Sequence, residues 1–274
     1  DMKPSEELEF LNNFIKLTPD SAIKRDMLTE FIDNRDKILL LDSDSILYKV
    51  VHFWVDKEPD LVLMFEDFCN QIQEMVNTIE DDGFNIIDIQ YYFTTCRSNF
   101  RYELTDTYKA NREDNPLREL AIELMHYALN QLKELGMYVD HSDTLEADDL
   151  ISIYVKEYGH KNVITCSIDK DLKQIVGAHF DYFKVKTEQI DVFGEQIREY
   201  KGWRYTTPQE GLDLFLEQML IGDKSDNVEG VKGIGKVKAP KLLEDKTNFS
   251  KLLTVARLYD DMDRVRLNVK LMRL

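Results

Sequence analysis

Residues 38–42 read Ile38-Leu39-Leu40-Leu41-Asp42, a short, unbroken apolar run that stops on an acid. A run without polar alternation has no solvated face, so it predicts a strand buried on both sides, as in a parallel sheet. Similar runs recur at Ile86–Phe93, Met137–Val139, Val163–Cys166 and Phe180–Val185. Helical periodicity lies between them. Phe65, Phe68, Ile72, Met75, Val76 and Ile79 mark one helix ending at Asp82-Gly83; others span Leu117–Leu135, closed by Gly136, and Ala147–Tyr158. Strands alternating with helices predict an α/β unit whose sheet is covered on both faces.

Upstream, Leu8, Leu11, Phe14, Ile15, Ile23, Met27 and Phe31 sit at roughly helical spacing among charged residues. They predict two short amphipathic helices broken near Pro19. Downstream of about residue 206 the pattern is helical again: Leu212–Ile221, a glycine-punctuated turn, then Ala239–Leu243 and onward to Leu274. The expected organisation is an N-terminal helical extension (1–37), an α/β domain (38–205) with a distinct segment near 95–116, and a helical domain (206–274).

Composition sets bounds on function. The 274 residues are 43% hydrophobic, which excludes a disordered chain. No apolar run approaches a membrane span, and the acidic N-terminus lacks the apolar stretch of a secretory signal. Three cysteines without CxxC spacing argue against a disulfide framework or a zinc site, and Cys166 falls within a strand, as a core residue would. A soluble intracellular protein is expected. The net charge of −17 argues at first against a nucleic-acid partner. Its distribution matters more: residues 56–90 hold ten acids and one lysine, and residues 140–149 hold five acids and no base. The first window reads as a solvated helix face. The second does not.

In open α/β sheets, functional groups gather beyond the carboxyl ends of the strands. Acids recur at those ends: Asp42; then Glu146, Asp148 and Asp149 in LEADDL; Asp169 and Asp171 in SIDKDL; Asp223 and Asp226 in GDKSDN. Each group has a local explanation, such as a capping box of Asp143 with Glu146, a turn at 169–171, or a surface loop at 222–227. Together, eight carboxylates on one rim would repel by several kcal/mol in a partly dry site unless cations neutralise them. Oxygen-only ligands point to Mg²⁺ or Mn²⁺. Two such ions, about 4 Å apart, suit in-line phosphoryl displacement.

LLLD, YKANR, LEADDL, SIDKDL, GDKSDN and GVKGIG, in this order, resemble the 5′→3′ exonuclease and flap endonuclease family, which includes phage enzymes and the N-terminal exonuclease domain of bacterial DNA polymerase I. The resemblance spans about residues 38–274. It implies a PIN-like, mostly parallel sheet flanked by helices, with a C-terminal helix-three-turn-helix domain. It also implies a metal-dependent phosphodiesterase acting on 5′ ends and flaps, RNA primers included. Asp42, Glu146, Asp148 and Asp149 would surround one ion, and Asp169, Asp171, Asp223 and Asp226 the second. One departure stands out. Where the family usually reads Phe-Asp after the second strand, this chain reads Phe93-Thr94, and Asp44 is the residue that would compensate.

The segment 97–112 carries Arg97, Arg101, Lys109 and Arg112 interleaved with Phe100, Tyr102 and Tyr108, a composition suited to a single-stranded backbone with stacking bases or to an ordinary amphipathic helix. YKANR resembles the family's arch, which implies that Lys109 and Arg112 meet the scissile phosphate and that Arg97, Arg101 and Tyr108 touch DNA. In GVKGIGKVKAPKLL, glycines allow a tight turn and close phosphate approach, and Lys232, Lys236, Lys238 and Lys241 come without an acid between 230 and 241. A glycine-rich surface turn with solvating lysines has the same composition. The motif resembles the helix-three-turn-helix element. That implies duplex contacts from those lysines, Gly233 and Gly235, and a K⁺ on the carbonyls of Gly230, Val231 and Ile234. Trp203 and Tyr205 are expected to pack between the domains.

The expected activity is a two-metal 5′-nuclease on DNA ends, flaps or junctions, and on RNA–DNA hybrids. A catalytically impaired 5′-junction binding protein, motivated by Thr94, and a PIN-like ribonuclease are the alternatives. The expected setting is a monomer in bacterial or phage-infected cytoplasm, with replication proteins as further partners.

Overall fold

The computed structural model describes residues 22–94, 99–111, 116–182, 187–190, 196–199 and 202–274. Its strands are β1 (Asp36–Asp42), β2 (Asn85–Thr94), β3 (Tyr138–Ser142), β4 (Val163–Cys166), β5 (Gly177–Phe180), β6 (Thr187–Ile190), β7 (Gln196–Glu199) and β8 (Trp203–Thr206). Six form one sheet in the order β3-β2-β1-β4-β5-β8, parallel except for the edge strand β8. β6 and β7 form a separate antiparallel pair.

The apolar run lies at the centre. Leu39, Leu40 and Leu41 are 0% exposed, and the pleat divides them between two cores. Leu39 and Leu41 meet α1 (Ala22–Asp33), α2 (Ser43–Trp54), α3 (Leu61–Asp81) and α5 (Pro116–Glu134), through residues such as Phe31, Val50, Phe68 and Leu124. Between α3 and α5 lies the short α4 (Phe100–Leu104). Leu40 packs instead against Ile151 and Val155 of α6 (Ala147–Tyr158). Burying one such leucine contributes roughly 1.5–3 kcal/mol. The strand order reverses direction at β1, which opens a crevice at the carboxyl ends of β1 and β4.

Several expectations shift. The chain passes from β1 directly into α2, whose Ile46, Leu47, Val50 and Val51 form one buried face. The described part of the N-terminal extension belongs to the body of the domain. Leu28, Phe31 and Ile32 of α1 join the main core, and Lys24 pairs with Glu210 at 2.6 Å. Residues 1–21, with the break near Pro19, lie outside the described residues. The strand expected at Phe180–Val185 runs Gly177–Phe180, and residues 183–186 lie outside the described residues. Trp203 and Tyr205 are sheet-core residues of β8, 5% and 1% exposed, which corrects their placement between domains. Trp203 Nε1 donates to Asp82 at 2.8 Å, so this acid of the 56–90 window is buried rather than solvated.

The helical lobe comprises α7 (Pro208–Ile221), α8 (Lys238–Leu243), α9 (Asn248–Leu258) and α10 (Met262–Met272). Thr207 and Glu210 cap α7 reciprocally, and Phe215, Leu216, Met219 and Leu220 meet Ile234, Ala239, Leu243 and Val255. After α7 the chain doubles back through β9 (Gly222–Asp223) and β10 (Val228–Glu229). A Cβ on Gly222 would fall 2.3 Å from Gly230 N, so only glycine permits this approach. Tyr108, Val228 and Leu271 seal the lobe to the α/β unit, and Gln174 Nε2 donates to the Met272 carbonyl at 2.9 Å. Among the described residues no helix is long and apolar enough to cross a membrane.

Candidate active site

β1 delivers Asp42 to the crevice, where it is 8% exposed and accepts hydrogen bonds from Ser45 Oγ and from Ser167 Oγ (2.6 Å). Burial pushes its carboxyl above the usual range despite those bonds. Asp44, in the first turn of α2, accepts the Thr94 N–H at 3.0 Å. Burial and then the neighbouring Asp42 raise its pKa to about 7. The Thr94 hydroxyl accepts the Ala147 N–H at 2.8 Å at the start of α6, and the same side chain also hydrogen-bonds Asp44.

The LEADDL acids open α6. Asp149 accepts the Glu146 N–H at 3.0 Å, so the capping box is Glu146 with Asp149 rather than Asp143 with Glu146. Glu146 accepts from Lys109 Nζ (2.5 Å), Asn99 Nδ2 (2.7 Å) and Tyr108 OH (3.2 Å). Both Asp149 oxygens accept from the Arg101 guanidinium, at 2.6 and 2.7 Å. Asp148 has no ion pair among the described residues, and burial followed by Glu146 and Asp149 raises its carboxyl well above the usual range.

The remaining acids lie opposite. Asp171 N–H donates to Asp169 at 2.8 Å, and Asp171 accepts from Gln218; burial and Asp169 raise its pKa to about 6. Asp223 accepts from Lys170 Nζ (2.6 Å), Ser225 N–H (2.8 Å) and Ser225 Oγ (2.5 Å). Burial opposes ionisation there, but these donors prevail and hold the carboxyl below its usual range. Asp226 accepts from Tyr108 OH at 3.0 Å and lies 3.8 Å from Lys109 Nζ.

The YKANR turn is fastened to GDKSDN by its backbone. Lys109 N–H donates to the Asp226 carbonyl (2.9 Å), Asn227 Nδ2 to the Thr107 carbonyl (2.8 Å) and Asn111 Nδ2 to the Lys224 carbonyl (2.7 Å). Lys109 adopts a left-handed φ of 53°, which aims its side chain at Glu146. Glu146, Asp148, Asp171, Asp223 and Asp226 thus line one crevice. Asp169 lines a cavity of about 70 Å³ beside it, with Ser167, Lys173 and His179. No three acids among the described residues are already arranged to grip an ion. The donor set nevertheless fits a hard divalent cation, being all oxygen, with Asp42, Asp44 and Asp148 in no ion pair among the described residues, although the Arg101 charge acts on Asp148.

Two expected DNA contacts are corrected. Arg101 and Tyr108 are each 2% exposed, turned inward by Asp149 and by Glu146 with Asp226, so neither offers a surface to nucleic acid. Arg97 and Arg112 lie outside the described residues. The glycine turn differs: Lys232, Gly233, Gly235, Lys236, Lys238 and Lys241 are exposed while Ile234, Ala239 and Leu243 anchor them from below. The Val231 carbonyl accepts the Ile234 N–H at 3.1 Å. Ser167, Asn99, Lys170 and Gln218 also serve the site. Their residue types gave no signal, except that Ser167 and Lys170 flank Asp169.

The family model described as 5′-3′ exonuclease, N-terminal resolvase-like domain, matches residues 37–202. DNA polymerase I of Rhizobium leguminosarum is 28% identical over 227 residues, covering 80% of this chain and 21% of that protein. The 5′-3′ exonuclease of Mycoplasma pneumoniae is 28% identical over 222 residues, 75% of this chain and 71% of its own length. Among solved structures, a bacteriophage T5 flap endonuclease in a pseudo-enzyme-product complex with DNA and metal ions matches with a TM-score of 0.59 at 16% identity, covering 87% of this chain and 89% of that one. That likeness is one of fold.

Proposed function

We propose that this chain, which belongs to the 5′-3′ exonuclease family, is a structure-specific nuclease that hydrolyses phosphodiester bonds at 5′ ends or flaps of DNA, and of RNA in RNA–DNA hybrids. The observation that carries this reading is the convergence of acids from three separate segments, 146–149, 169–171 and 223–226, on one crevice near the reversal point of the sheet. Asp42, Glu146 and Asp148 would hold one divalent cation, and Asp169, Asp171, Asp223 and Asp226 a second, with Asp149 supporting the first group through Arg101. When bound, Mg²⁺ or Mn²⁺ supplies charge neutralisation and Lewis acidity at a phosphodiester.

The protein's own groups position the substrate. Lys109 sits on Glu146 and near Asp226, so an incoming phosphate competes with those carboxylates for its ammonium group and draws it onto developing negative charge. The exposed lysines of the glycine turn would hold duplex phosphates without reading bases. A K⁺ on the Gly230, Val231 and Ile234 carbonyls would share Val231 O with the Ile234 N–H. Replication proteins remain natural partners for such an activity, and a monomer suffices for it.

A second reading, a junction-binding protein that does not cut, is favoured by Thr94, whose side chain is taken up by the Ala147 N–H and by Asp44. A labelled 5′-flap incubated with Mg²⁺ or Mn²⁺ separates the two. Cleavage by the wild type, with about a hundredfold loss in Asp169→Asn, is expected. Equal product from both proteins would refute the site, and tight binding without product would favour the second reading.

A further inference from the structure

We propose that Asp44 is a ligand of the divalent cation beside Asp42, supplying from the first turn of α2 a carboxylate at the end of β2, where the strand itself offers only Thr94. This rests on the metal-dependent reading above and extends it to a residue outside the eight acids.

Three observations converge. The first is position. β1 and β2 run parallel with Asp42 opposite Tyr92, so Thr94 ends its strand two residues beyond Asp42. The Asp44 carboxylate is seated on that end by the Thr94 N–H at 3.0 Å. The second is that Thr94 does not serve as the ligand. Its hydroxyl is taken up by the Ala147 N–H, which it accepts at 2.8 Å, and by a side-chain hydrogen bond to Asp44, and a neutral hydroxyl is a poor ligand for a hard cation. The third is charge. Glu146 and Asp226 lie beside Lys109, Asp149 grips Arg101, and Asp223 grips Lys170. Among the described residues Asp44 has no such partner, and Thr94, through its N–H and its side chain, is its only hydrogen-bond partner; the charges that act on it are those of Asp42 and Glu146. An acid placed only to favour the start of α2 has no need to reach across to β2 and sit where the charges of Asp42 and Glu146 both act on it. A cation shared with Asp42 gives that placement a physical reason.

The test titrates metal-free full-length protein with Mn²⁺, read by electron paramagnetic resonance of the free ion and by calorimetry, with circular dichroism confirming the fold. Asp44→Asn keeps an acceptor for the Thr94 N–H while removing the charge. It should weaken Mn²⁺ binding about tenfold or more, the scale on which even outer-shell partners act. The relocated pair Asp44→Ser/Thr94→Asp should bind Mn²⁺ more tightly than Asp44→Asn, because the carboxylate returns to the same place from β2. Wild-type affinity in Asp44→Asn, alongside a clear loss in Asp42→Asn, would overturn the role of Asp44 and leave the metal site standing. Wild-type affinity in both would overturn the metal site and the proposal with it.

Discussion

Arg101→Met tests whether this arginine is a latch or a nucleic-acid contact. The guanidinium is 2% exposed and joins three parts of the chain: α4, which carries it, Asp149 on α6 at 2.6 and 2.7 Å, and the Leu271 carbonyl near the end of α10 at 2.9 Å. Methionine roughly preserves the stem and removes the charge. A buried carboxylate left without its partner costs about 3–5 kcal/mol. The orphaned Leu271 carbonyl adds roughly 1 kcal/mol. In a chain of this size, that loss lowers the melting temperature by on the order of 10 °C. An arginine facing DNA would behave differently: its removal costs little stability but reduces the slope of log K against log salt by about 0.9. Thermal unfolding, paired with duplex binding at several salt concentrations in Ca²⁺, measures both. The expected result is a large fall in melting temperature with an unchanged salt slope. A melting temperature within about 2 °C of wild type, with the slope reduced by about one, would refute the latch. Arg101→Met/Asp149→Leu should recover much of the lost stability, because no buried charge is then orphaned.

Lys109→Ala should lower turnover on a 5′-flap by about a hundredfold while changing duplex affinity much less; equal losses in both would count against its placement at the scissile phosphate. Lys236→Ala/Lys238→Ala should reduce the salt slope of duplex binding by about 1.8 and leave turnover at saturating substrate near wild type; an unchanged slope would remove these lysines from the interface. Burial pushes the His179 imidazole down to about 4. The unfolded chain therefore binds more protons below about pH 6.5, and the contribution of His179, complete above that pH, is lost as pH falls toward 4, by at most about 1.4 kcal/mol per pH unit. Urea unfolding of His179→Gln across this window should show a flatter pH dependence than wild type, and superimposable curves would argue against the assignment.

Where one physical rule dominates, the structure was readable from sequence. Leu39–Leu41 had no polar alternation, so a two-sided buried strand followed, and Ala147–Tyr158 carried acids at its start and a glycine after its end. α2 was hidden because Ile46, Tyr48, Val50, Val51, Phe53 and Trp54 favour strands, and only the packing of one face makes the segment helical. β8, with four residues, is too short for a period to register. Of the acids read from the strand ends, Glu146, Asp148, Asp171, Asp223 and Asp226 line one crevice, because sequence order marks where strands end. The direction of Arg101 was not found. Its neighbours Phe100 and Tyr102 suggested an exposed basic–aromatic surface, whereas its partner Asp149 is 48 residues away, a pairing that local composition does not encode. Thr94 was legible as a departure, but its hydrogen bonds to Ala147 and Asp44 come from two other segments.

The cations already inside the acidic rim are of two kinds, and the difference bears on which acids are available. Arg101 is a planar fork held by three hydrogen bonds, so releasing Asp149 would break a bidentate pair and the anchor to Leu271 together. Lys109 and Lys170 are single ammonium groups on flexible stems. The Lys170 side chain is 60% exposed while Asp223 beneath it is 6% exposed, so the lysine can return to water without opening the fold. A divalent cation of higher charge density competes well with a monovalent ammonium for Asp223 or Glu146, but poorly with the guanidinium for Asp149. Asp149 is therefore best placed as a fixed support that orients Arg101 and the start of α6. On the proposed metal-dependent reading, Asp42, Asp44 and Asp148 would receive the incoming charge directly, and Glu146 and Asp223 would follow as their lysines leave. On that reading the net −17 would overstate the barrier to a phosphate backbone, because its densest part would be the part that cations enter first.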